Sequence, residues 1–154
     1  MKLINLGSRV PQDVPNVRFR PVLVDHLLEL AAFLPVLANW IYILYKYRQT
    51  GGDIPSDLYE AGGTALFLFL LLGACGYCPL RCINFPFRVK PHNVVYQYVL
   101  ALRLVRVSNI ILCLQFLFAS LSIYYAWANV CFVACAGLLG TAFMAYMALA
   151  WRHK

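Results

Sequence analysis

Charge is what this chain has least of. Only 12% of its 154 residues are Asp, Glu, Lys or Arg, roughly half the share of an ordinary soluble domain. Acids are scarcer than bases, six against 13. No Ser/His/Asp set, no P-loop and no pair of carboxylates within an apolar segment can be found. Hydrolysis, phosphoryl transfer and proton-coupled transport need clustered titratable groups, so the chain is expected to be non-enzymatic and without a cofactor. A cleavable leader is not recognisable either. The opening residues are polar, broken by Pro11 and Pro15, and no small-residue cleavage pattern follows, so the first apolar segment is expected to remain as an anchor. The six cysteines avoid polar loops, which excludes the disulfide framework of a small secreted domain.

What the chain has is apolar length. It is 62% hydrophobic with a mean hydropathy of +0.70. In a soluble protein the net charge of +7 would raise the question of nucleic acid. Here the bases flank apolar segments instead of gathering on a polar domain, so the expected surface is a lipid bilayer and not nucleic acid.

The pattern predicts an all-α integral membrane protein, a four-helix up-down-up-down bundle with a long third helix extended into the cytoplasm. Residues 1–21 form a cytoplasmic arm and residues 22–154 one transmembrane domain, with spans at about 27–47, 62–80, 107–127 and 130–151. Pro35 is expected to kink the first span. Trp40, Tyr42, Tyr45 and Tyr47 mark its far interface. Asn39, one turn inside, is either an interhelical hydrogen-bond donor or part of a site. Residues 46–63 read as a loop, with Gly51, Gly52 and Pro55 as turn residues.

Pro86 and Pro91 keep residues 84–92 from being helical, Asn93 is a cap candidate, and a helical pattern then continues to about Ala126. Val95, Tyr98, Leu102 and Val105 recur on one face of it, with Arg103 and Arg106 off that face. The last span carries small-residue pairs, Ala136 with Gly140 and Gly137 with Thr141, with Ala145 and Ala148 along the same side. Such a stripe packs either within the bundle or in a homo-oligomer.

With four spans, eleven of the 13 basic residues fall on the side of the two termini and the second loop, and only Lys46 and Arg48 on the other. The positive-inside rule then puts both termini in the cytoplasm. Asp53, Asp57 and Glu60 fall outside and, with Pro55, are candidates for meeting a ligand or partner. Asp25 and Glu29, four apart on one helix face, lie at the depth of Arg103 and Arg106. At least one ion pair is expected between them, because charge near hydrocarbon is costly unless paired. Cys75, Cys78 and Cys82 read as small apolar residues. Their C-x2-C-x3-C spacing also admits zinc, with His92 as fourth ligand, or a redox pair. A helix C-terminus is the wrong end to activate a thiol.

Three pieces of the chain together carry a resemblance. They are VDHLLELAAFL leading to NWIYILYKY, the loop GGDIPSDLYEAGG, and INFPFRVKPHNVVYQYVLALRLVR. In order and spacing they resemble a bacterial membrane-protein family of unknown function whose domain also opens the Sdp-type immunity proteins, which protect cells from a peptide toxin. The short four-span members found in Bacteroidetes are the most similar. The third piece is similar to the family's Asn-Tyr-Pro hinge and following helix. The resemblance implies an accessory, sensing or toxin-protection role in the bacterial inner membrane, with a membrane-protein partner or a homo-oligomer. A small oligomeric transporter, channel component or complex subunit is the alternative. The chain departs from the family at Asp57, where the pattern has histidine, and at Ala61-Gly62-Gly63, which shortens a polar run. If the family's loop binds a metal or peptide through that histidine, Asp57 offers an oxygen and no imidazole.

Overall fold

The computed structural model describes residues 20–83, 85 and 93–152, with Arg81 as backbone only. The expected arm up to residue 19, the hinge residues 84 and 86–92, and His153 and Lys154 lie outside the described residues. The fold is all-α. Helix α1 spans Leu23–Gln49, α2 Ser56–Cys75, α3 Val94–Ser122 and α4 Trp127–Arg152, with a short 3-10 turn at Leu80–Cys82. All four helices are long and apolar enough to cross a membrane, the make-up of a multi-pass membrane protein.

α1 begins at Val22, whose backbone N–H donates to Asp25 Oδ2 at 2.9 Å, so an acid in the first turn ties down one of the unsatisfied N-terminal amides. The helix continues through Pro35, which is buried. It ends where Gly51 and Gly52 take φ of 69° and 102°, a left-handed turn that glycine enters without strain.

The connection from α1 to α2 is shorter than the sequence suggested. α2 starts at Ser56 and not in the low sixties, and ends at Cys75, before Gly76 and Pro79. Apolar content begins only at Ala61, but Pro55 supplies a good entry to a helix and Ser56, Asp57 and Glu60 suit a first turn, where negative charge meets the positive end of the dipole. α1 likewise starts at Leu23 and α4 at Trp127. α3 ends at Ser122, and the turn to α4 is residues 123–126.

α3 is the hub. It packs along α1, α2 and α4; α1 and α2 also touch each other, and α4 leans chiefly on α3. Its buried residues run Val94, Tyr98, Leu102, Arg106, Asn109 and Cys113, a helical stripe. The stripe corrects the expected face. Arg106 lies on it, four residues from Leu102, while Val95 is exposed. At 29 residues and 1.5 Å per residue, α3 is roughly 44 Å long, more than the hydrocarbon core needs. Its first turns are covered, because Leu80, Phe85, Val94, Tyr98 and Leu102 form an apolar cluster with Ile83 against it. Tyr98 Oη donates to the Cys78 carbonyl at 2.8 Å. Gln97 Nε2 donates to the Ala150 carbonyl at 2.9 Å, tying the end of α4 to the start of α3.

Candidate functional site

Two places in the bundle gather polar side chains. The first is where the beginning of α1 meets the end of α2 and the middle of α3. Arg106 Nε stands 3.3 Å from Glu29 Oε1 and Arg106 Nη1 3.9 Å from Asp25 Oδ1. Arg103 Nε approaches the same Asp25 oxygen at 3.9 Å. The partners differ in surroundings. The Asp25 side chain is wholly buried and that of Arg106 is 2% exposed, whereas Arg103 is 48% exposed.

α2 contributes Tyr77, in the turn after its last residue. The Tyr77 hydroxyl donates to Glu29 Oε1 at 2.7 Å, and the Arg106 guanidinium lies 5.3 Å from the centre of its ring. The hydrogen bond to Glu29, then burial and the Glu29 charge, push the Tyr77 hydroxyl above its ordinary value of 10.0, against the opposing pull of Arg106. Gly76 leaves room here, since a Cβ at that position would sit 3.5 Å from the Arg106 guanidinium carbon and 3.1 Å from the Gly73 carbonyl. His26 Nδ1 flanks Glu29 at 3.7 Å from the solvent side. So the structure brings Asp25, Glu29, Arg103 and Arg106 into one network, and adds Tyr77 and Gly76. These two have no charge and carry no spacing signal that would single them out.

Three thiols lie beside this network. Cys75 and Cys78 are half-buried and Cys82 is exposed. Burial, then Cys75 and Cys82, push the Cys78 thiol above its ordinary value. No group of three His, Cys, Asp or Glu side chains with metal-binding geometry occurs among the described residues. His92 lies outside them.

The second place is the opposite end of α1. Lys46 Nζ lies 4.2 Å from the centre of the Tyr124 ring, with Tyr42 and Tyr125 at 5.9 and 6.0 Å. Three tyrosines thus half-enclose one ammonium, and Tyr42 meets Tyr124 edge to face. The neighbouring acids do not all lie in the loop expected over residues 46–63. Asp53 is in the turn, but Asp57 and Glu60 stand on the first turns of α2, three residues apart and on one side. With Pro55, all three are exposed. Asp57 accepts a hydrogen bond from Ser56 Oγ at 3.4 Å, and among the described residues none of the three acids is in an ion pair.

Between the two ends the interior is partly polar. Asn109 Nδ2 donates to the Phe69 carbonyl of α2 at 3.2 Å, and Asn109 Oδ1 accepts from the Cys113 thiol at 3.4 Å. This is the interhelical bond that the sequence reading offered to Asn39. Asn39 is also fully buried, yet neither its Nδ2 nor its Oδ1 has a hydrogen-bond partner among the described residues. On α4, Ala136, Gly137, Gly140, Thr141, Ala145 and Ala148 are all exposed, and a Cβ at Gly137 or Gly140 would meet nothing within 4 Å. The stripe therefore does not pack within the described bundle.

No family model, no curated protein and no solved structure matches this chain.

Proposed function

We propose that this is an accessory, sensing or toxin-protection protein of the bacterial inner membrane, akin to the immunity-like family that its sequence resembles. In this reading it crosses the membrane four times, up-down-up-down, with both termini in the cytoplasm. Three contacts support that course. Phe33 of α1 meets Phe69 of α2, Tyr42 of α1 meets Tyr124 at the end of α3, and Gln97 near the start of α3 bonds Ala150 near the end of α4. The distribution of basic residues supports the orientation.

The observation that carries the function is the contrast between the two ends. At one end Asp25 and Glu29 are spent on Arg103 and Arg106 within the chain. At the other, Asp53, Asp57 and Glu60 stand exposed and without ion pairs among the described residues. Carboxylates on a helix end that faces the periplasm suit a cationic peptide or the basic surface of a partner protein.

A second reading, a small oligomeric transporter or channel component, draws on the open small-residue face of α4. Purification of the intact chain from bacterial membranes separates the two. The first reading expects a complex of fixed stoichiometry with a different protein, lost when Asp53→Asn, Asp57→Asn and Glu60→Gln are combined. A symmetric homo-oligomer that survives those three changes favours the second.

A further inference from the structure

We propose that the bundle holds a buried site for a small neutral hydrogen-bonding guest, water or a solute of similar size, at the level of Asn39. It rests on neither reading above. The level can be read from contacts on both sides of it. Phe33 meets Phe69, and a Cβ at Gly62 would be 2.5 Å from Ile43 Cδ1; between these, Asn39 of α1 comes level with Ala65 of α2. Glu29 meets Arg106 and Tyr42 meets Tyr124; between these, Asn39 comes level with Ser120 of α3.

Asn39, Ala65 and Ser120 are each 0% exposed. Two of the three side chains are among the smallest available, opposite an amide that brings two donors and an acceptor. Ser120 Oγ donates to its own helix, to the Phe116 carbonyl at 3.2 Å, which leaves its lone pairs to accept. Asn39 is not alone. Trp40 Nε1 and the Tyr42 hydroxyl are likewise buried without a hydrogen-bond partner among the described residues. They flank Asn39 on the α2 and α3 sides, since Trp40 lies near Gly62 and Tyr42 near Tyr124.

An unpaired polar group buried away from water is expensive. A guest with two to four hydrogen bonds removes that cost. The guest is neutral because no charged residue occurs in 30–45 of α1, 61–75 of α2 or 107–122 of α3, and the Lys46 ammonium beyond Tyr42 is taken up by the Tyr124 ring.

The test uses the full chain in lipid nanodiscs, hydroxyl-radical labelling read by mass spectrometry, and native mass spectrometry of the released protein. Radicals arise from water held beside a side chain, so the expected result is labelling of Trp40 and Tyr42 that falls several-fold in Asn39→Leu, while the buried control Tyr98 is unchanged. A solute in place of water gives instead an added mass in the native spectrum that Asn39→Leu loses. Should Asn39→Leu not fold, Ser120→Val, which removes a lone pair, is expected to do the same. Equal labelling in wild type and variant with no added mass overturns the proposal, because Asn39 would then close on a protein partner directly.

Discussion

Replacing Arg106 by leucine removes a buried cation that meets both acids of α1. Asp25 keeps Arg103 at 3.9 Å, but that side chain is 48% exposed and screened by water, while the Asp25 carboxyl is wholly buried. At about 4 Å and an effective dielectric of about 20, each Arg106–carboxylate attraction is roughly 4 kcal/mol before the desolvation of the ions is subtracted. Subtraction consumes most of the gain, which is why an intact buried pair stabilises little, yet removing one partner strands the other and costs about 3–5 kcal/mol. Arg106→Leu is therefore expected to destabilise by about that amount. Asp25→Asn should cost less, because Arg106 retains Glu29 at 3.3 Å. The double variant Asp25→Leu/Arg106→Leu should recover much of the loss, since the wholly buried carboxylate is then gone and the charges left without their partner, Glu29 and Arg103, are 27% and 48% exposed and reach water. Reversible denaturation in mixed micelles, arranged as a double-mutant cycle, gives the coupling directly. If Arg106→Leu unfolds within about 0.5 kcal/mol of wild type, as ordinary surface changes do, the network contributes nothing and the reasoning fails.

Three further outcomes are expected in the same assay. Gly62→Leu should destabilise by about 1–3 kcal/mol, because a Cβ there already crowds Ile43 Cδ1 at 2.5 Å, whereas Gly137→Leu meets open space and should leave the monomer unchanged. Loss of monomer stability in Gly137→Leu would mean that α4 packs differently. Lys46→Met removes the ammonium over the Tyr124 ring and should cost about 0.5–1 kcal/mol, with Lys46→Arg retaining most of it. The Tyr77 hydroxyl, raised above 10.0 by its bond to Glu29, contributes stability that is fully present below pH 10.0 and is lost as pH rises through the higher folded value. Melting scans from neutral to strongly alkaline pH should show that loss in wild type and less of it in Tyr77→Phe.

Four apolar stretches of spanning length are plain in the sequence, because hydropathy alone marks them, and they correspond to the four helices. Their ends are less legible. The polar first turn of α2 reads as loop because hydropathy does not register that Pro55, Asp57 and Glu60 suit a helix N-terminus. That acids and arginines at one depth need one another is readable from the sequence. Which arginine goes inside is not: apolar residues guided the choice of face on α3, and Arg106 lies on the buried stripe despite its charge. Asn109 and Asn39 look alike as lone amides in apolar helices. Their contrast, one bonded to the Phe69 carbonyl and the other without a partner among the described residues, depends on the neighbouring helix and not on the local pattern. Tyr77 and Gly76 matter only through contacts that α1 and α3 bring to them.

The central claim is that the paired charges lie on the cytoplasmic side and the unpaired acids outside. Reporter fusions in living bacteria test it most directly, with alkaline phosphatase inserted after Gly52 and green fluorescent protein fused after Lys154. The account predicts an active phosphatase and a fluorescent C-terminus in cells whose membranes carry the full chain. An inactive phosphatase with a dark C-terminus would reverse the topology and put Asp53, Asp57 and Glu60 beyond the reach of any external ligand.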